Sequence, residues 1–541
     1  MHPVWSQPYY LLGHGLAFSA LLAVLPTLLL LYLLAVQRKP SWVAALAGLA
    51  ATVLLALLAY GLSLTLTVSS AAYGAAFGIF PISWIVFWAL VLYELTVATG
   101  KFEIIKDSLG SITSDKRMQA LLIAFAFGAF IEGASGFGTP VAVAAAMLTG
   151  LGFRPFYAAG ICLLANTAPV AFGAIGIPLV TLAGTTGLPL TSLSADVGRI
   201  CAPVSLFIPL YLVLVMGGWR ALKDVWPGVV VCGVAFAGTQ FTVSNFFSVY
   251  VTDILSSLAA IICLVALLRV WKPKNRDEHD HGGRMAPRHT AGEILYAWSP
   301  YALLVLFVSL WGVDAVKVWL NKATFNFAWA GLHNAVLRVP PAVLAPSKYP
   351  AVFKLDLLAA AGTSCLFAAV GAALLLRMPA RKFGGIVVST AKQLFFSMVT
   401  LASVLALAYL MNYCGATATL GLAFAATGAL FPFCSSLLGW LGVFLTGSDT
   451  SANALFGNLQ VVTANRLHLK PVLMAASNST GGVMGKMISL QSIAVAAAAT
   501  GMPAEDEGRL FRFTLRHSVL LATIVGLVVL FYSYVAPGWA L

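Results

Sequence analysis

Long apolar runs separated by short polar segments set the pattern of this chain. Crossing a bilayer takes about 20 mostly apolar residues per helix. Runs of that kind fall at 11–36, 42–60, 79–99, 155–183, 197–216, 225–241, 248–270, 297–312, 355–376, 385–411, 471–499 and 514–536. None of them alternates apolar with polar residues, so helices, and not barrel strands, satisfy the backbone inside lipid. Two more apolar stretches, 118–150 and 433–466, are broken midway by small and polar residues. They predict re-entrant hairpins that enter and leave on one side. The expected fold class is an all-α polytopic membrane protein of about 12 transmembrane helices plus two re-entrant hairpins.

Composition agrees with a bilayer as solvent. Of 541 residues, 60% are hydrophobic and 9% charged, against about 25% charged in soluble domains. The opening MHPVWSQPYY lacks a basic n-region, and the run that follows is too long for a signal peptide's apolar core, so it reads as a retained span. The net charge of +13 does not indicate nucleic acid, because the basic residues sit in short segments between apolar runs. With the N-terminus outside, 21 of the 31 Lys and Arg fall in cytoplasmic loops and seven in outer loops. The positive-inside rule then places both termini in the periplasm of a bacterial inner (plasma) membrane. Segment 313–354 is basic yet outside on this count, and is expected to form a partly helical outer flap.

The hydrophilic stretch 272–290 holds three of the eight histidines. Its composition suits a linker better than a metal site. It divides the chain into an N-terminal membrane half, 1–271, a cytoplasmic linker, 272–296, and a C-terminal half, 297–541. The seven cysteines lie in or beside apolar runs without CxxC spacing. They read as small buried hydrophobes, not as disulfide or zinc ligands. No metal and no cofactor is expected.

The chain nearly repeats itself. GAFIEGASGFGTP begins at Gly128 and GVFLTGSDTSANA at Gly442. A basic residue and a proline follow each, Arg154–Pro155 and Lys470–Pro471, and then a span interrupted by polar residues: LLANTAPVAFGAIG in the first half, AASNSTGGVMGK in the second. On the topology above the two spans run in opposite directions, so the repeats are inverted. A single Gly/Ala cluster would more simply be close helix packing. Two matched pairs of hairpin and interrupted helix, 118–150 with 155–183 and 433–466 with 471–499, point instead to a transporter's binding site. Interrupted helices expose free N–H and C=O groups that lipid cannot satisfy. The N–H end carries positive partial charge and suits a carboxylate.

Ionisable groups within spans are costly and usually functional. Glu132 and Asp449 occupy the two hairpin tips, and Lys486 lies on the second interrupted span. Tip N–H groups and Lys486 would hold a carboxylate. Asn166, Thr167, Asn478, Ser479 and Thr480 would bond a hydroxyl, and Glu132 or Asp449 would carry a coupled proton. The architectural alternative is a fixed Lys486–Asp449 ion pair. Arg199, three residues after Asp196, reads as a local helix ion pair.

The stretches GAFIEGASGFGTPVAVAAAML, FYAAGICLLANTAPVAFGAIGIPL, LTGSDTSANALFGNLQ and SNSTGGVMGKMISLQSIAVA, with WSPYALLV at Trp298, strongly resemble the lactate permease family. The resemblance covers essentially the whole chain. It implies an inner-membrane carrier of L-lactate, with D-lactate, glycolate and related 2-hydroxy monocarboxylates, driven by proton symport, within a wider group of inverted-repeat carriers that move substrate by an elevator motion. It carries over Glu132, Gly133, Ser135 and Gly136 from the first tip and Ser448, Asp449, Thr450 and Ser451 from the second. From the interrupted helices it adds Asn166, Thr167, Asn478, Ser479, Thr480 and Lys486. The partners implied are L-lactate, protons and the lipid bilayer, with no nucleic acid; a homodimer is left open. A sodium-coupled carboxylate carrier is the alternative, since unwound carbonyls and Ser, Thr and Asn groups coordinate sodium equally well. An enzyme is not expected, because neither HExxH nor GxSxG is present.

Overall fold

The computed structural model describes residues 4–136, 138–273, 289–343 and 345–541. Most of the expected linker, residues 274–288, lies outside the described residues. Eleven helices among the described residues are long and apolar enough to cross a bilayer, and twelve if the bent pair Pro155–Ala165 and Val170–Thr186 counts as one span. The polytopic helical class read from the apolar runs is the observed one.

Several boundaries differ from the hydropathy pattern for physical reasons. Leu64–Phe77 is helical and continues through a kink at Phe80 into Trp84–Ala98, although 64–77 was not expected as a span. Its polar composition hides it. Thr67 Oγ1 donates back to Ser63 O at 2.9 Å, and Gly74 lies so close to Leu405 and Tyr409 that a Cβ would stand 2.8 Å from Tyr409 Cβ. One face of this helix, Leu66, Thr67, Ser70 and Gly74, is buried against protein. Leu190–Phe246 spans 57 residues, about 85 Å at 1.5 Å per residue, far more than the ~30 Å of a hydrocarbon core. It bends at Gly217–Gly218, where Gly218 takes φ 64°, and so supplies both spans expected at 197–216 and 225–241. Arg199 and Asp196 form the local pair expected of them, at 3.5 Å.

The outer flap is partly helical, as expected, and also carries short strands. After the short helix Asp314–Leu320, strands Thr324–Ala328 and Val352–Asp356 pair antiparallel. Val336–Leu337 joins a second small sheet between Trp5–Ser6 and Ser347–Lys348. The helix expected from 355 therefore begins only at Ala361. Tyr73 and Tyr413 donate their hydroxyls to Val352 O and Pro350 O, at 2.9 and 2.8 Å, and so fasten the flap to the bundle.

The two segments expected to form hairpins fold as helix–turn–helix units, although Lys116–Ala134 and Ala416–Thr446 are themselves long and apolar enough to cross a bilayer. The first joins Lys116–Ala134 to Thr139–Gly150, and the second joins Phe431–Thr446 to Asp449–Arg466. Each precedes a proline-started helix, Pro155–Ala165 or Pro471–Lys486. The first of these breaks where expected, just after Asn166, and bends by 65°. The second does not break at Asn478. It runs unbroken from Pro471 to Lys486 and resumes as Leu490–Thr500. The glycines there serve packing: a Cβ on Gly481 would overlap the Ser436 carbonyl, and one on Gly439 the Asn478 carbonyl. Small residues thus bring helices Phe431–Thr446 and Pro471–Lys486 into backbone contact.

The two repeats interlock by exchange. Gly173–Thr186 packs on Asp449–Arg466 of the second hairpin, and Leu490–Thr500 packs on Thr139–Gly150 of the first. Likewise Leu190–Phe246 packs on Pro471–Lys486, while Glu507–Tyr534 packs on Pro155–Ala165. Each half's interrupted helix is thereby covered by the other half. Around this unit stand Leu16–Ala35, Ser41–Leu58, Leu64–Phe77 and the 35-residue helix Ala380–Cys414.

The backbone contact at Gly439 has a measurable consequence. Gly439→Val forces helices Phe431–Thr446 and Pro471–Lys486 apart, an overpacking cost of about 1–3 kcal/mol. The midpoint of thermal unfolding in detergent should fall, whereas Gly384→Val, where a Cβ meets no atom within 4 Å, should leave it nearly unchanged.

Candidate functional site

The two tips meet. A cavity of ≈ 150 Å³ is lined by Glu132 of the first hairpin, Gly173, Ala174 and Pro178 of the first interrupted helix, Thr446–Ser451 at the second tip, and Lys486. Ser397, Thr400 and Leu401 of Ala380–Cys414 close the opposite wall. It shares Ser41, Thr446, Gly447 and Gln491 with a larger cavity of ≈ 900 Å³ that carries Arg38 and Lys39. A third cavity of ≈ 300 Å³ lies beneath the flap, lined by Lys317 and Lys354, and shares no residue with it. The small cavity is where acidic groups from both repeats converge.

Local sequence builds each wall. Gly447 takes φ 72° and ends the incoming arm, and Ser448 caps the outgoing one by accepting from Ser451 N at 3.3 Å. The first turn of Asp449–Arg466 therefore faces the cavity with unbonded N–H groups and positive partial charge. Opposite, Ala174, Ile175 and Gly176 form a left-handed turn with φ of 45°, 58° and 73°. Left-handed φ costs an L-residue roughly 1–2 kcal/mol, and a β-branched one like Ile175 more. Such strain persists only where surrounding structure imposes it: Gly176 is pressed against Val249, and Ala174 against Gly136.

Three charges face this space. Glu132, 4% exposed, accepts from Asn166 Nδ2 at 3.3 Å. Gly173 leaves room for it; a Cβ there would sit 2.7 Å from Glu132 Oε1. Asp449, 3% exposed, accepts through Oδ2 from Ser479 Oγ at 2.6 Å and Asn453 Nδ2 at 3.3 Å, while Oδ1 has no hydrogen-bond partner among the described residues. Lys486 Nζ donates to Gly447 O at 2.9 Å. Among the described residues it makes no ion pair with either carboxylate. A fixed Lys486–Asp449 salt bridge is therefore not what holds the site together.

The expected residues sort into two sets. Glu132, Ser448, Asp449, Thr450, Ser451 and Lys486 line the cavity. Behind them, Asn166 and Ser479 bond the two carboxylates. The rest stand away from it. Thr167 and Thr480 donate to backbone carbonyls of their own helices, Leu164 O and Ser477 O, and Ser135 to Ile131 O. Gly133 packs against Asp253, and Gly136 turns the first tip with φ 61°. Asn478 donates to Asn453 Oδ1 at 2.9 Å and accepts from Gln460 Nε2 at 3.0 Å, tying the second hairpin to its helix.

Asn453 was missed by the sequence reading. Its Nδ2 reaches Pro178 O at 3.1 Å as well as Ser479 Oγ at 3.2 Å and Asp449, so it binds the two repeats at the cavity's edge. The signal was its i+4 spacing from Asp449, which puts both on one helix face. Asp253 was also missed, although an acidic residue inside an apolar run is by default a functional candidate.

Comparison with known proteins follows the same lines. A family model described as L-lactate permease matches residues 19–536. The chain is 44% identical to the L-lactate permease of Bacillus subtilis, over 98% of this chain and 99% of that protein. It is 42% identical to the glycolate permease GlcA of Escherichia coli, over 99% of both, and 42% identical to the L-lactate permease of E. coli, over 98% of both. These relatives are named as permeases, not as enzymes.

Asn453→Leu should expose the role of the inter-repeat clamp. It strips partners from Pro178 O and Asn478, each buried and costly to leave unsatisfied, at about 1–3 kcal/mol apiece. Thermal unfolding of purified protein should begin at lower temperature than for the wild type; an unchanged midpoint would remove Asn453 from that role.

Proposed function

The chain belongs to the L-lactate permease family, and from that premise we propose that it carries L-lactate into the cell by proton symport, with D-lactate, glycolate and related 2-hydroxy monocarboxylates as further substrates. The supporting observation is the charge balance of the cavity, two carboxylates against one ammonium. An incoming substrate carboxylate meets Lys486 and the N-terminal turn of Asp449–Arg466, both favourable. It also meets Glu132 and Asp449, both repulsive while ionised. Protonating one of them removes a negative charge and supplies a donor, so anion and proton bind together more readily than either alone. Asp449 can take that proton on Oδ1, which has no hydrogen-bond partner among the described residues, so protonation there breaks no existing bond. Ser448, Thr450 and Ser451 line the same wall and suit the 2-hydroxyl.

The walls belong to different parts of the fold. Hairpin tips and interrupted helices form one side, and Ser397–Leu401 of the long surrounding helix the other. Sliding the interlocked repeats past that helix would carry the cavity across the membrane, an elevator. The connection toward Arg38 and Lys39, cytoplasmic by the charge count, corresponds to the inward-facing end of this motion. Trp5–Ser6 pairs with the flap, and Leu541 donates its N–H to Asp196 near the flap-side cavity. Both termini then lie on the flap side, which the charge count makes periplasmic in an inner membrane.

Proteoliposomes test this reading. Labelled lactate should accumulate under an inward proton gradient; uptake that follows a sodium gradient and ignores pH would replace it with a sodium-coupled carrier. Asp449→Asn should keep lactate exchange at equal pH and lose proton-driven accumulation. Lys486→Met should weaken apparent lactate affinity by about tenfold or more, the worth of a charge-assisted hydrogen bond; unchanged affinity with a lower folded yield would make Lys486 structural.

A further inference from the structure

One buried ionisable group stands outside the cavity and takes no part in the scheme above. Asp253 begins the helix Thr252–Val270 and is 1% exposed. Neither of its carboxyl oxygens has a hydrogen-bond partner among the described residues. It lies directly behind the first tip: a Cβ on Gly133 would sit 2.8 Å from Asp253 Cβ. Gly133 is the residue after Glu132, and the two carboxyl groups lie within electrostatic reach of each other. The other titratable group facing Asp253 from its packed neighbours is the buried Cys201 of Leu190–Phe246; the turn before it contributes Tyr250. No Lys, Arg or His among the described residues pairs with Asp253.

A carboxylate so placed cannot remain ionised without a partner, because desolvation is not repaid. A second carboxyl, Glu132, follows directly on the Gly133 that packs against Asp253 and disfavours a charge there further. We propose that Asp253 holds a proton and exchanges it with Glu132, so that the two form a relay pair behind the first hairpin tip. At rest no hydrogen bond joins the two carboxyl groups, so the transfer runs through one bridging water or a change of rotamer: an O–H bond on Asp253 breaks and one forms on a Glu132 oxygen. The single negative charge passes from Glu132 to Asp253, and the total charge of the pair is unchanged. Asp253 tolerates that charge for the time it carries it, because it sits in the first turn of a helix, at the positive end of the backbone dipole. Gly133 is what allows the approach; any side chain there would wedge the two elements apart. The relay thus supplies the cavity from the side away from substrate. The second tip differs: the atoms nearest a Cβ on Gly447 belong to Gln491 and Ser489, not to an acidic residue.

This inference rests on the proposed proton coupling, and the experiment separates the two. Purified Asp253→Asn, Glu132→Gln and Asp449→Asn proteins are reconstituted, and lactate exchange at equal pH is measured beside accumulation under an inward proton gradient. The relay predicts that Asp253→Asn retains exchange but loses about tenfold or more in accumulation, the scale on which a positioned proton-transfer group acts. The double variant Asp253→Asn with Glu132→Gln should then be no worse in accumulation than the more impaired single one. If Asp253→Asn leaves accumulation intact while Asp449→Asn or Glu132→Gln abolishes it, the relay is wrong and proton coupling stands. If none of the three affects accumulation, proton coupling through this cavity fails as well. If Asp253→Asn does not fold, the smaller Asp253→Ser is measured in its place, and a parallel loss of exchange and accumulation in that variant would make Asp253 merely structural.

Discussion

Hydrocarbon offers no hydrogen bonds, so a helix interrupted inside a bilayer must have its free backbone groups met by protein, water or ligand. The whole architecture answers to that constraint. Each half covers part of its own break, and the other half covers the rest. The segment after the first break, Gly173–Thr186, lies on the second hairpin, and the segment after the second, Leu490–Thr500, lies on the first. Asn453, from one repeat to the Pro178 carbonyl of the other, is the same solution at the scale of one side chain. The cavity is the small space that this mutual covering leaves unfilled.

The two halves share a plan but not a chemistry. Glu132 stands before the turn of its hairpin and Asp449 after the turn of the other. The first interruption is long and strained, with three successive left-handed residues. The second is brief, spanning Met487–Ser489, and is preceded by Lys486. Under the proposed function, inverted repeats would let an equivalent framework face both sides of the membrane, and the unequal placement of charge would let one cavity hold an anion and a proton together.

Much of this was legible in the chain before folding was considered. Apolar runs are long because a bilayer is thick, so class and approximate spans follow from hydropathy alone. The paired tips at Gly128 and Gly442 were visible because turns need small residues whatever surrounds them. The reading went astray where one residue type serves two purposes. Glycines and serines at Ser477–Gly482 looked like a break, yet they are the flat surface on which Phe431–Thr446 lies. Leu64–Phe77 was not expected as a span, yet Thr67 bonds back to its own helix, Ser69 and Tyr73 bond the flap, and Gly74 meets a neighbouring helix. The flap is partly helical as expected, but its strands were not foreseen, because they form only by pairing with residues distant in the chain, Trp5 among them.

The sequence by itself therefore determined the solvent, the helical class, the repeat and the acidic tips, because each depends on local composition or short spacing. Which polar groups face the cavity and which merely lock the frame was decided only by tertiary structure. Thr167 and Thr480 are spent on their own helices, Asn478 on the hairpin beside it, and Asp253 emerges behind Glu132 from more than a hundred residues downstream. Hydrogen bonding is a property of pairs, and a linear chain names the members without saying which of them will meet.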